Sequence, residues 1–143
     1  MRKLRLVIDT NVLLVIIGRF AKHNWLFEEF LDKKFELLVT TPILLEYFEK
    51  ISVRTNSLVA EDILRTIINN TCTVRIEPSF RLNLISVDPD DNAYVDCAFA
   101  GAADYLITND GHFDVLKAID FPKIPIIKLD AFHELYLVQK LWG

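Results

Sequence analysis

Two hydrophobic periods alternate along this 143-residue chain. Short apolar runs read as strands, LRLVI (4–8), FELLVT (35–40), CTVRI (72–76), DYLIT (104–108) and IPIIKL (124–129), the first of them suited to a strand covered on both faces. Longer stretches with helical spacing separate them, at 12–20, 24–32, 42–52, 58–69, 88–102 and 131–141. In the second of these, Leu26, Phe27, Phe30 and Leu31 should face inward, with Trp25, Glu28, Glu29 and Asp32 on the opposite face. Thr41-Pro42 and Asp88-Pro89 are start signals, each a capping side chain followed by a proline at the first helical position. Strands divided by helices predict βαβ units. The expected fold class is therefore α/β, a three-layer α/β/α sandwich on a mostly parallel sheet of about five strands. No repeat or linker interrupts the pattern, so residues 1–143 are expected to form a single domain.

Composition narrows the function classes. With 52% hydrophobic and 25% charged residues the chain is globular, and its net charge of −4 argues against a broad basic face for duplex nucleic acid. Arg2, Lys3 and Arg5, Lys33 and Lys34, and Lys50 with Arg54 remain as pieces of a local basic rim. Cys72 and Cys97 belong to no CxxC pattern and are expected as buried thiols in a reducing cytoplasm. No apolar stretch approaches the roughly 18 residues of a membrane span, and the N-terminus lacks the pattern of a signal peptide. The expectation is a cytoplasmic protein with no membrane partner.

Asp9 poses the chemical question. It ends the buried-looking run RLVI, where an unpaired carboxylate costs several kcal/mol or more. Either it caps the next helix, or it meets a cation at an open strand end. Asp110 follows the fourth strand, Glu46 interrupts the apolar run ILLEYF, and Asp91 falls in the first turn of the helix before the Asp110 strand. Asp88 and Asp91 also have capping-box spacing, which supplies a structural reading of that pair. Ligands in open α/β sheets bind beyond the carboxyl ends of the strands, where the strand order reverses. If the first and fourth strands are neighbours, Asp9 and Asp110 meet there. Two carboxylates about 4 Å apart repel by roughly 4 kcal/mol at an effective dielectric of 20. Several converging acids therefore call for a cation, and hard oxygen donors select Mg²⁺ or Mn²⁺.

The motifs VIDTNVLL (7–14), TPILLEYFEKI (41–51), DPDDNAYVDCAFAGAADYLITND (88–110) and IPIIKLDAF (124–132) together resemble a PIN domain. The nearest subgroup is that of the VapC-like toxins of bacterial type II toxin–antitoxin modules. The resemblance covers almost the whole chain. It implies a Mg²⁺- or Mn²⁺-dependent endoribonuclease whose catalytic, metal-holding quartet falls on Asp9, Glu46, Asp91 and Asp110. Asp88, Asp91 and Asp96 can each be drawn toward the metal; Asp91 is preferred and Asp96 stands second. Asn11 and Thr108 match supporting polar positions. Gly111 and His112 depart from many relatives, and Asp114 would substitute in part.

The implied reaction is hydrolysis of an RNA phosphodiester by metal-activated water, with Arg19, Lys50 and Arg54 as rim contacts to RNA. His23, His112 and His133 are not required by it. The implied partners are an RNA substrate, a cognate antitoxin and a second copy of the chain in a homodimer. Trp25, Tyr47, Phe48, Tyr136 and Trp142 are the aromatics available for such faces. Two alternatives remain in view. One is a catalytically inactive PIN-like binding module. The other is an Asp-dependent phosphotransferase, against which stand Asn11 in place of a second acid and the absence of an acceptor Asp in CTVRIEP.

Overall fold

The apolar runs do become a parallel sheet. A computed structural model describes residues 2–79, 81–85 and 89–142. Its strands are β1 (Arg5–Ile8), β2 (Glu36–Val39), β3 (Thr73–Arg75), β4 (Tyr105–Ile107) and β5 (Ile126–Ile127). They lie side by side in the order β3-β2-β1-β4-β5, every pairing parallel. In β1, Leu6, Val7 and Ile8 are all buried although successive side chains point to opposite faces. Both faces of the sheet are therefore covered at its centre, as a three-layer α/β fold requires, while the edge strands β3 and β5 are only partly buried.

The covering helices are α1 (Thr10–Ile16), α2 (Asn24–Leu31), α3 (Thr41–Arg54), α4 (Ser57–Asn69), α5 (Asn92–Ala100) and α6 (Leu129–Trp142). Several ends differ from the sequence pattern for identifiable reasons. α1 starts directly after Asp9 and stops at Ile16, so Thr10 and Asn11 form its first turn and 17–20 are not helical. The N-cap of α3 is Thr40, whose hydroxyl accepts the Ile43 N–H at 3.3 Å, one residue before the predicted cap. The 88–102 run divides into a 3-10 turn (Pro89–Asp91) and α5, while its predicted cap, Asp88, lies outside the described residues. A second 3-10 helix, Gly111–Ala118, fills a stretch where no element was predicted.

Two side-chain expectations are overturned on α2. Leu31 is exposed, whereas Trp25 is half-buried and stacks on Phe132, His133 and Tyr136 of α6 at centroid distances of 6.4, 4.6 and 5.4 Å. Helical period alone cannot foresee a helix arriving from the far end of the chain. The Trp25 indole N–H also donates to His23 Nδ1 at 2.9 Å, and His23 Nε2 meets Asp130 at 2.7 Å, fastening α6 to the start of α2. Tyr47 is no surface aromatic either: it is fully buried and its hydroxyl donates to the Ile8 carbonyl. The Trp142 side chain lies outside the described residues. Among the described residues no helix is long and apolar enough to cross a membrane.

The amino ends of the strands consume part of the predicted basic rim. Asp104 accepts the Arg5 main-chain N–H at 2.7 Å and both Arg2 guanidinium nitrogens at 2.9 and 2.7 Å, while the Arg5 side chain pairs with Glu36 at 3.1 Å. These cations sit at the opposite end of β1 from Asp9. Gly101, between α5 and β4, has no room for a side chain: a Cβ there would lie 2.7 Å from Leu38 Cδ1.

Candidate metal centre

Parallel order β3-β2-β1-β4-β5 puts its topological switch between β1 and β4, because the chain leaves β1 toward β2 on one side and returns at β4 on the other. Asp9 stands at the carboxyl end of β1, anchored through its N–H to the Ile107 carbonyl at 3.1 Å. Its neighbours are fixed from α3 and α5. Tyr47 holds the Ile8 carbonyl, and the Tyr94 hydroxyl bonds the Thr10 hydroxyl. Burial pushes both phenols well above their ordinary value, so they stay neutral posts.

Asp9 is only 3% exposed. Its carboxylate makes no full cap hydrogen bond to α1, and the pull of the Asn11 N–H in the first turn is smaller than the cost of burial, so capping does not offset that cost. Instead Oδ2 accepts the Thr108 hydroxyl at 2.9 Å across the β1–β4 pairing. Burial pushes Asp9 up to about 6, and the charges of Glu46 and Asp110 push the same way. The Thr108 hydroxyl and the Asn11 N–H pull it down by less. An acid held near neutrality among other acids is a position short of positive charge.

Around it opens a cleft of about 950 Å³. Asp9 after β1, Glu46 on α3, Asp91 in the 3-10 turn, Asp96 on α5 and Asp110 beyond β4 all line it, as does Asn11. Among the described residues that line it, seven are acidic and only Lys50 and Arg81 are basic, so the cleft favours cations. Thr108 Oγ1 also accepts the Asp110 N–H at 3.1 Å, which ties the two strand-end acids to one hydroxyl. Asp110 then caps the following 3-10 helix through the His112 N–H at 2.9 Å. Asp91, Asp110 and His112 offer ligand atoms that all lie within 4.8 Å of one another.

Asp96 has a second engagement. Its Oδ1 accepts the Leu82 N–H at 3.0 Å, and one turn earlier Asn92 clamps Ile85 through two bonds of 2.9 and 2.8 Å. Together they hold the strap 81–85 against α5, and the strap carries Arg81 and Asn83 to the cleft wall. Sequence reading missed Arg81, because a lone arginine in an irregular stretch has no period or motif to mark it. Of the predicted rim only Lys50 lines the cleft; Arg54 and Arg19 do not, and Arg19 lies over the Phe20 ring instead. Asp114 is exposed and pairs with Lys117 at 3.3 Å, away from the cleft lining. Asp88 lies outside the described residues.

The sequence model of the PIN domain matches residues 5–112. No curated protein matches the chain. Among solved structures, one similar fold is a chain of VapBC2 from Rickettsia felis, bound to a DNA fragment from its promoter. It has a TM-score of 0.63 at 15% identity, over 87% of this chain and 98% of that one. DNA-bound VapBC from Salmonella typhimurium gives 0.60 at 14%, with the same coverage of 87% and 98%. The PIN domain of T. brucei RRP44 gives 0.55 at 11%, over 97% of this chain and 84% of that one. At these identities the likeness is one of fold.

Proposed function

This chain belongs to the PIN-domain family, and on that premise we propose that it is a divalent-metal-dependent endoribonuclease, the toxin of a type II toxin–antitoxin pair. The observation that carries the reading is Asp9. It is a buried carboxylate at the switch point of a parallel sheet, its pKa raised by burial and by the further acids around it. The donor set fits the ion that the family uses. Carboxylate oxygens on three or four separate elements suit Mg²⁺ or Mn²⁺, which keep several waters besides their protein ligands.

Asp9, Asp91 and Asp110 would hold the metal, with Glu46 on the α3 wall as a further ligand or as a base acting through water. A divalent ion bound there supplies a water of lowered pKa and offsets the charge of the phosphate that is attacked. The chain's own groups do the rest. Thr108 keeps Asp9 and Asp110 in register through one hydroxyl, as outer partners of metal ligands do. Asn11, at the cleft edge, is a supporting polar group. Lys50 and Arg81, the basic residues among the described lining of the cleft, would meet the RNA backbone, since phosphate contacts supply much of nucleic-acid affinity.

The antitoxin partner is proposed from the family likeness and from the two VapBC complexes of similar fold. A homodimer, a single domain over residues 1–143 and a cytoplasmic location belong to the same proposal. The test is cleavage of single-stranded and structured RNA with Mg²⁺, Mn²⁺ or EDTA, with Asp9→Asn alongside. Cleavage that needs the metal and Asp9 supports the reading, and cleavage that survives both losses overturns it. Stoichiometric metal binding with no turnover of any RNA would favour the inactive binding module instead.

A further inference from the structure

His112 is not part of the cleft lining, yet it stands against two acids that are, Asp91 and Asp110, in a way that the acid quartet does not require. Its main-chain N–H donates to Asp110 Oδ1 at 2.9 Å, and this bond turns the residue back toward the site. Its ring Nδ1 then lies 3.5 Å from the same Oδ1 and 3.6 Å from Asp91 Oδ2. Two donors that bind one ion at about 2.1 Å cannot lie more than about 4.2 Å apart, and separations of 3.5 and 3.6 Å let Nδ1 share an ion with either acid. Asp91, Asp110 and His112 also form the group of potential ligands whose atoms fall within 4.8 Å of one another among the described residues. The side chain is 44% exposed, so the ring is not fixed there as core packing.

We propose that His112 is a nitrogen ligand of the metal centre, making it a mixed carboxylate–imidazole site that prefers Mn²⁺ to Mg²⁺. The inference rests on the metal-dependent reading above and deepens it. Mg²⁺ is a hard ion that takes oxygen ligands and dehydrates reluctantly, whereas first-row transition ions accept imidazole nitrogen readily. A pure acid quartet leaves the choice between Mg²⁺ and Mn²⁺ open; one imidazole tilts it. An imidazole ligand also binds an ion without adding a further negative charge to a cleft already lined by seven acids. His23 and His133, the remaining histidines, lie together on the α2–α6 side, with ring centroids 5.2 Å apart, so a nitrogen signal from the cleft has a single histidine source.

The test is electron spin echo spectroscopy of the full chain with one equivalent of Mn²⁺, beside calorimetric affinities for Mn²⁺ and Mg²⁺, in wild type and His112→Gln. The expected result is an imidazole nitrogen coupling in wild type that is absent from the variant. The preference for Mn²⁺ over Mg²⁺ should fall roughly tenfold with it, and the thermal midpoint of the metal-free proteins should stay the same. Stoichiometric Mn²⁺ binding without nitrogen coupling, or coupling that persists in His112→Gln, overturns the ligand assignment and leaves the metal-dependent nuclease standing. Absence of any Mn²⁺ or Mg²⁺ binding to wild type overturns both.

Discussion

Thr108 and Asp9, 99 residues apart in sequence, share a hydrogen bond of 2.9 Å across neighbouring strands, and the same hydroxyl accepts the Asp110 N–H at 3.1 Å. One buried side chain thus sets the spacing of two strand-end acids. Thr108→Val keeps the shape but leaves Asp9 and Asp110 without that partner. It should cost about 1–3 kcal/mol of stability by urea denaturation and raise the Asp9 pKa further. Thr108→Ser, which keeps the hydroxyl, should recover most of both. Equal behaviour of the Val and Ser variants would remove the hydroxyl from the account.

Asp9 makes the metal-free protein sensitive to pH. Its folded value is pushed up to about 6 from an ordinary 3.8, chiefly by burial. A raised carboxyl favours folding while it is protonated, so its contribution is complete below 3.8 and is lost as pH rises through about 6. The loss amounts to about 3 kcal/mol at neutral pH. In EDTA, Asp9→Asn should therefore be more stable than wild type at neutral pH and lack that part of the pH dependence. Divalent ions should raise the thermal midpoint of wild type and leave that of the variant nearly unmoved. Parallel stability–pH curves for the two proteins would contradict the strain assigned to Asp9.

Asp96 separates positioning from metal binding. Asparagine can still accept the Leu82 N–H, so Asp96→Asn should keep the strap 81–85 in place, whereas Asp96→Ala should free it. Limited proteolysis should then cut the Ala variant within the strap and spare the Asn variant. If Asp96 serves the strap alone, Asp96→Asn also keeps its metal affinity. A large loss of affinity in Asp96→Asn would make it a ligand.

Gly101→Ala is a test of packing far from the chemistry. The new methyl would meet Leu38 Cδ1 at 2.7 Å, the Cys97 carbonyl at 3.0 Å and Ile76 Cδ1 at 3.2 Å. Overpacking of this kind costs about 1–3 kcal/mol. Thermal unfolding should show the loss while metal affinity stays unchanged.

Much of this was legible in the chain because it was local. Runs such as RLVI and ELLV announce two-sided burial by themselves, and the order of strands and helices then limits the sheet to parallel topologies. The acids were legible because a carboxylate at the end of a buried strand contradicts its surroundings. Features that depend on chain returning from a distance were not. Trp25 reads as a surface residue until α6 packs on it, and Tyr47 until its hydroxyl finds the Ile8 carbonyl. Arg81 reaches the cleft only because Asp96 and Asn92 hold its strap. Arg2 and Arg5 looked like rim cations, yet Asp104 and Glu36 occupy them at the far end of the sheet.

The most direct measurement is a crystal of the full chain soaked in Mn²⁺, with anomalous difference density collected at the manganese edge. Density bounded by Asp9, Asp91 and Asp110, and lost in Asp9→Asn crystals soaked alike, is the predicted result. A saturated soak that leaves this cleft without density, or that places manganese only elsewhere on the molecule, would contradict a shared metal at the ends of β1 and β4.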